Sequence, residues 1–102
     1  MSLPSPDSPL APKYWMHETS GKLAPAITRL INNEGLSADD ILLIRSYLRQ
    51  WIDSPVWDQN PEMTVKSRRA LDQLRSRAKE IKNRADIDRW TYLAVEEGMD
   101  PL

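Results

Sequence analysis

The chain has 102 residues, of which 40% are hydrophobic and 28% are charged, so it has the size of one small domain with a modest core. It contains no cysteine and one histidine, His17, which excludes disulfides, thiolate chemistry and sulfur-based zinc sites and leaves little material for acid–base catalysis. Fourteen basic residues balance fifteen acidic ones, which excludes a uniformly basic nucleic-acid binder and an acidic DNA mimic.

The first twelve residues predict a disordered Pro/Ser-rich N-terminal arm. They contain four prolines and three serines, a composition that buries too little apolar surface to offset the entropy of ordering. A single helical domain is predicted over residues 13–102. It opens on Tyr14 and Trp15, whose rings we expect to pack on the helices that follow.

Two helices are predicted in the first half of this domain. The first begins near Ala24, because the proline after it suits a first helical position, and it ends within Asn32–Gly35. The second begins after Ser37, which caps it while Asp40 occupies the capping-box position three residues later. The broad apolar face of this second helix indicates the central, most buried helix of the domain.

Two further helices are predicted in the second half. The third begins after Asn60 and runs to about Arg84. The apolar stripe then changes phase, which predicts a break near Asn83 to Asp86, with one of these two residues capping a fourth helix that runs to about Glu97. No alternating strand pattern is present, so the chain is predicted to be all-α, a small bundle or orthogonal domain of about four helices.

Charge is segregated along the third predicted helix. Residues 66–89 hold nine basic and four acidic side chains, so this segment has five excess positive charges and the remainder of the chain six excess negative ones. A narrow apolar seam follows the same helix and consists of Met63, Ala70, Leu71, Leu74, Ala78 and Ile81. One flank of the seam carries Arg68, Arg75, Lys79 and Lys82, and the other carries Lys66, Arg77 and Arg84.

This arrangement favours an acidic protein partner, whose apolar ridge would lie in the seam while its carboxylates meet the flanks. A solvated face, in which long basic stems cover the edge of the core, is the structural alternative. Of the four tryptophans we expect three in the core and Trp57, in a loop, partly exposed. The predicted partner-binding residues are Arg68, Leu71, Leu74, Arg75, Arg77, Lys79, Lys82 and Trp57.

The sequence predicts no catalytic, cofactor-binding or metal-binding residue. His17 and Glu18 are too few for a metal site, and capping explains Asp39 and Asp40. The three glycines form no phosphate-binding loop.

The sequence therefore favours a small non-catalytic helical protein that binds another macromolecule, in the first place a protein, with self-association through the seam as one form of this binding. The alternative is a nucleic-acid-binding regulator that places the basic helix on phosphate backbones, and the third hypothesis is a catalytic or cofactor-binding subunit of a larger complex. The longest apolar run, Ile41 to Ile44, is too short to cross a membrane. The N-terminus lacks the pattern of a secretory signal, so we expect a cytoplasmic location.

Overall fold

A computed structural model describes residues 4–17, 21–53, 61–96 and 98, and every regular element in those ranges is a helix. The five helices are α1 (Pro12–Trp15), α2 (Leu23–Ile31), α3 (Ala38–Asp53), α4 (Pro61–Ala78) and α5 (Arg84–Glu96). Helix α3 lies at the centre and packs against α2, α4 and α5. The predicted all-α class is confirmed, and the single turn α1 is the helix that the sequence pattern did not predict.

Helix α3 begins where its capping box predicts. The backbone N–H of Asp40 donates to Ser37 Oγ over 3.2 Å, and the N–H of Ser37 donates to Asp40 Oδ2 over 3.2 Å. Leu36 before the cap and Ile41 after it are both buried, as a hydrophobic staple requires. The apolar face continues to Leu48, which is fully buried, so the predicted second helix is the central one.

Helix α2 ends in the predicted segment, where an asparagine makes the turn. Asn33 has a φ of 59°, in the left-handed region that asparagine tolerates better than most residues with a side chain. The N–H of Asn33 donates to the carbonyl of Leu30 over 3.2 Å, and the N–H of Glu34 donates to the carbonyl of Arg29 over 2.9 Å. These bonds close the helix before the chain enters the α3 cap.

Helix α4 ends at Ala78, earlier than the predicted end near Arg84, and this boundary is a correction. The N–H of Glu80 donates to the carbonyl of Arg77 over 2.9 Å, and the N–H of Ile81 donates to that of Ala78 over 3.3 Å. These shorter-range bonds tighten the chain into a turn. Ile81 is buried, as the seam predicts, but it enters the core from a non-helical backbone. Residues 78–84 contain no glycine or proline, and the apolar period continues through Ile81. The sequence therefore predicts a longer helix than the structure contains.

Helix α5 begins at the predicted break, and Asn83 is the residue that caps it. The N–H of Ala85 donates to Asn83 Oδ1 over 2.9 Å, and the N–H of Ile87 donates to the Asn83 carbonyl over 2.9 Å. The new helix turns Trp90 into the core, where it is fully buried. Gly98 follows the helix with a φ of 78°, which is readily available to glycine.

The predicted disorder of the first twelve residues is not confirmed for the N-terminal segment, residues 4–11. Pro9 is fully buried and Leu10 is 7% exposed. The hydroxyl of Tyr47 in α3 donates to the Pro9 carbonyl over 2.8 Å, and the indole N–H of Trp15 donates to the Leu10 carbonyl over 2.8 Å. The prediction of disorder rests on the average composition of residues 1–12, which does not show that their apolar residues lie together at the end. This apolar end is buried in the domain and is stabilised by the two hydrogen bonds.

Aromatic rings fix the start of the domain on α3, as the sequence predicts. The ring of Tyr14 meets Trp51 edge to face, with centroids 4.4 Å apart and an interplanar angle of 84°. Trp15, Trp51 and Trp90 are all buried, which confirms the prediction for the core tryptophans. Trp57 lies outside the described residues.

Candidate partner-binding surface on helix α4

The apolar seam of α4 is used inside the chain. Leu74 is fully buried in the core formed with α3, and Leu71 is half-buried at the edge of that core. The rest of the buried face of α4 consists of Met63, Ser67, Ala70 and Ala78, and Ile81 joins the same core from the segment after the helix. In this fold Leu74 is inaccessible to a partner or to a second copy, because the domain needs the α4 stripe to close its own core.

Arg77, predicted as a partner contact, holds α4 to the end of α2. Its guanidinium donates to the carbonyl of Leu30 over 2.9 Å and to the carbonyl of Glu34, and its Nε donates to Glu80 over 2.9 Å. The Arg77 side chain is only 12% exposed. The last carbonyls of a helix carry partial negative charge, so a cation at this position is favourable. The role of Arg77 in this fold is therefore structural.

The other predicted basic residues lie at the surface. Arg68, Lys79 and Lys82 are exposed and have no hydrogen-bonding or ionic partner within the described ranges, and the same holds for Arg69. Arg75 is also exposed, but it is engaged in an interaction. Arg68, Arg69 and Arg75 on α4, together with Lys79 and Lys82 in the non-helical segment that follows it, form what we call the outward basic face of α4.

A groove of about 640 Å³ lies between α4, the end of α2 and the N-terminal segment, and it is open to solvent. Apolar side chains from these three elements, Leu10, Leu30 and Ala70, lie among its lining residues. Helix α4 lines the groove with Lys66, Arg69, Gln73, Ser76 and Arg77. Their spacing of three and four residues places them along one flank of the helix.

Lys66 and Arg69 provide the basic groups of this groove that are not tied to backbone. Lys66 Nζ lies 3.3 Å from Asp7 Oδ2 in an exposed ion pair with the N-terminal segment. The sequence predicts Lys66 on this flank of α4, whereas Arg69 is not among the predicted binding residues. The spacing of three residues between Lys66 and Arg69 places them on the same side of a helix, so the sequence could have indicated Arg69 as well. The opposite wall of the groove was not predictable from that spacing, because it comes from the segment expected to be disordered.

Two ion pairs join other helices to the start of α3. Arg29 of α2 donates to Asp40 over 2.9 and 2.8 Å, and Arg89 of α5 lies 2.7 Å from Asp39. Burial of the Asp40 carboxyl raises its pKa, but the hydrogen bonds from Arg29 and Ser37 outweigh burial and hold the pKa below its ordinary value. Asp39 and Asp40 are therefore engaged in holding the helices together.

Metal-binding side chains are not clustered in the described residues. His17 is exposed, and Glu18 beside it lies outside the described residues. Within the ranges that the structure describes, no three His, Asp or Glu residues are grouped so that they could hold a metal ion. In the same ranges, no helix combines the length and the apolar character needed to span a bilayer.

Comparison of the chain with protein-family models, with curated protein sequences and with solved structures finds no match. The fold and the surface of α4 are therefore the basis for inferring function.

Proposed function

We propose that this protein is a small non-catalytic binding protein, and that its partner is another protein, contacted through the outward basic face of α4. The observation that carries the proposal is the concentration on this face of four exposed cations that have no partner in the described residues, Arg68, Arg69, Lys79 and Lys82. Most other described basic residues hold ion pairs, namely Arg29, Arg49, Lys66, Arg77, Arg84 and Arg89. Among the remaining described basic residues only Lys22 is exposed without a partner, so unpaired cations are concentrated on the α4 face.

The mixture of groups on this face supports a protein partner. Val65 is 48% exposed on α4, and Asp72 is exposed between the unpaired arginines and Lys79. Interfaces between proteins combine apolar and polar contacts in this way. Exposed cations on such a face set the association rate and the orientation of an acidic partner more than the final affinity.

Photo-crosslinking in cells of the native host tests the proposal. A photoreactive amino acid replaces Asp72 on the outward face of α4 in one variant and Thr28, which is exposed on α2, in the control. We expect a discrete crosslinked protein from position 72 that is absent from position 28. Equal crosslinking from the two positions, or none from position 72, would contradict a protein-binding role for α4.

The same unpaired cations support the second candidate, a surface for nucleic-acid phosphates. Four neutralised phosphates would give a log–log salt dependence of about −3.6 for duplex DNA. The acidic side chains of Glu62 and Asp72 are exposed on the same helix and oppose phosphates, so we expect no binding of a short DNA or RNA duplex at low salt. Saturable binding with the steep slope would replace the protein-partner proposal.

A further inference from the structure

We infer that the groove beside α4 binds an acidic peptide segment that carries an apolar side chain. The carboxylates of the peptide meet Lys66 and Arg69, and its apolar side chain contacts the lining formed by Leu10, Leu30 and Ala70. This inference rests on the proposed function, since it specifies where on the protein a partner docks and which chemistry that partner presents.

The accessible charge in the groove is positive. Arg69 has no partner in the described part of the chain, whereas Lys66 is held only by an exposed pair in which Asp7 is 70% exposed. Exposed pairs of this kind are weak, so an incoming carboxylate displaces Asp7 at little cost. Glu80, the acidic lining residue in the turn after α4, is paired with Arg77, whose charge offsets its own.

The spacing of the groups fits a peptide better than a free anion. Lys66 and Arg69 are three residues apart, about 4.5 Å along the helix axis, which suits two carboxylates on one short segment. Gln73 and Ser76 continue the same flank with groups that form hydrogen bonds. Ile31 is half-buried at the end of α2 and adds apolar surface to the lining.

Fluorescence anisotropy of the full chain with a labelled hexapeptide, Glu-Glu-Leu-Glu-Glu-Leu, tests this inference at an ionic strength of about 0.15 M, where exposed charges outside the groove are largely screened. We expect saturable binding that Arg69→Glu weakens about tenfold, because the substitution places a negative charge against the carboxylates. Arg68→Glu is the matched control, since Arg68 is also exposed and without a partner in the described residues but does not line the groove. It should change the affinity by less than about twofold.

Three further comparisons isolate the chemistry. Asp7→Asn releases Lys66 and should tighten binding about two- to fivefold. Replacing the leucines of the probe by serine, or its glutamates by lysine, should weaken binding about tenfold in each case, because the groove then loses apolar contact or charge complementarity.

Absence of saturable binding would overturn the inference, as would equal losses with Arg68→Glu and Arg69→Glu or equal affinity for the lysine peptide. These outcomes are distinct from failure of the proposed function. Crosslinking from position 72 without peptide binding would leave α4 as a partner surface and remove the groove from it. Peptide binding without crosslinking from position 72 would remove the outward face instead.

Discussion

Arg77 and Arg68 carry the same charge on the same helix, and the fold gives them different roles. The guanidinium of Arg77 is bound to the carbonyls of Leu30 and Glu34, whereas Arg68 lies in solvent without a partner among the described residues. The difference arises because Arg77 lies beside the end of α2. A single side chain therefore acquires its role from the backbone groups near it.

Replacing Arg77 by methionine tests this assignment. We expect the free energy of unfolding to fall by about 2 kcal/mol, because the carbonyls at the end of α2 lose a charged donor while the methionine stem keeps the packing. Urea denaturation measures the change. Arg68→Met, as the control, should alter the free energy by less than about 0.5 kcal/mol. Similar losses in the two variants would contradict a structural role specific to Arg77.

Three helix boundaries are set by short-range interactions. Asn33, Ser37 and Asn83 end or begin their helices through backbone conformation and hydrogen bonds within a few residues. The start of α3 is further secured by Arg29, which binds the capping carboxylate of Asp40 from α2. One carboxylate thus completes a cap and joins two helices.

This double role predicts a pH dependence that Asp40→Asn removes. Because the folded-state pKa of Asp40 lies below its unfolded value of about 3.9, its stabilising contribution is complete above that pH and is lost as the pH falls through the lower folded-state pKa. At neutral pH we expect the variant to be about 2 kcal/mol less stable. The difference in the free energy of unfolding between the wild-type protein and the variant should become smaller below about pH 4, as measured by urea denaturation at a series of pH values.

The adjacent residue supplies the control for this measurement. Asp39 pairs with Arg89, but both side chains are more than half exposed. Asp39→Asn should therefore cost less than about 1 kcal/mol at neutral pH. If the loss in the free energy of unfolding caused by Asp40→Asn stays constant down to low pH, the carboxylate charge does not stabilise the fold.

In the complete fold, the N-terminal segment packs beside α4 and so forms a groove along one flank of that helix. It is held to α3 through Pro9 and to α1 through Leu10 and Trp15. Without this docking Lys66 and Arg69 would lie on an open helix face. The candidate site therefore depends on a contact between residues 38 positions apart in the chain.

Tyr47→Phe tests the docking of the N-terminal segment. Loss of the hydroxyl leaves the buried Pro9 carbonyl without this donor, so we expect the free energy of unfolding to fall by about 1 kcal/mol. Amide exchange in residues 4–11 should become faster, as measured by mass spectrometry. Tyr92→Phe removes the same atom from a side chain that is 64% exposed and should leave both quantities unchanged. Unaltered exchange in the Tyr47 variant would contradict the anchoring role.

Features that depend on short-range interactions could be predicted from the amino-acid sequence. The all-α class, the cap at Ser37, a break near Asn83 to Asp86 and the basic character of α4 follow from apolar periodicity and from side chains that act within one turn. Burial of three tryptophans was also predictable, because large apolar rings beside apolar stripes belong in a small core.

The roles of the different faces of α4 could not be predicted from the sequence, because they depend on the packing of the whole fold. In the folded protein Leu74 is buried against α3, and Arg77 donates a hydrogen bond to a carbonyl at the end of α2. Lys66 and Arg69 face the N-terminal segment across the groove. A periodic pattern shows which side chains share a helix face, but it does not show what packs against that face. The partners here come from distant parts of the chain, and their positions are set by the closing of a common core.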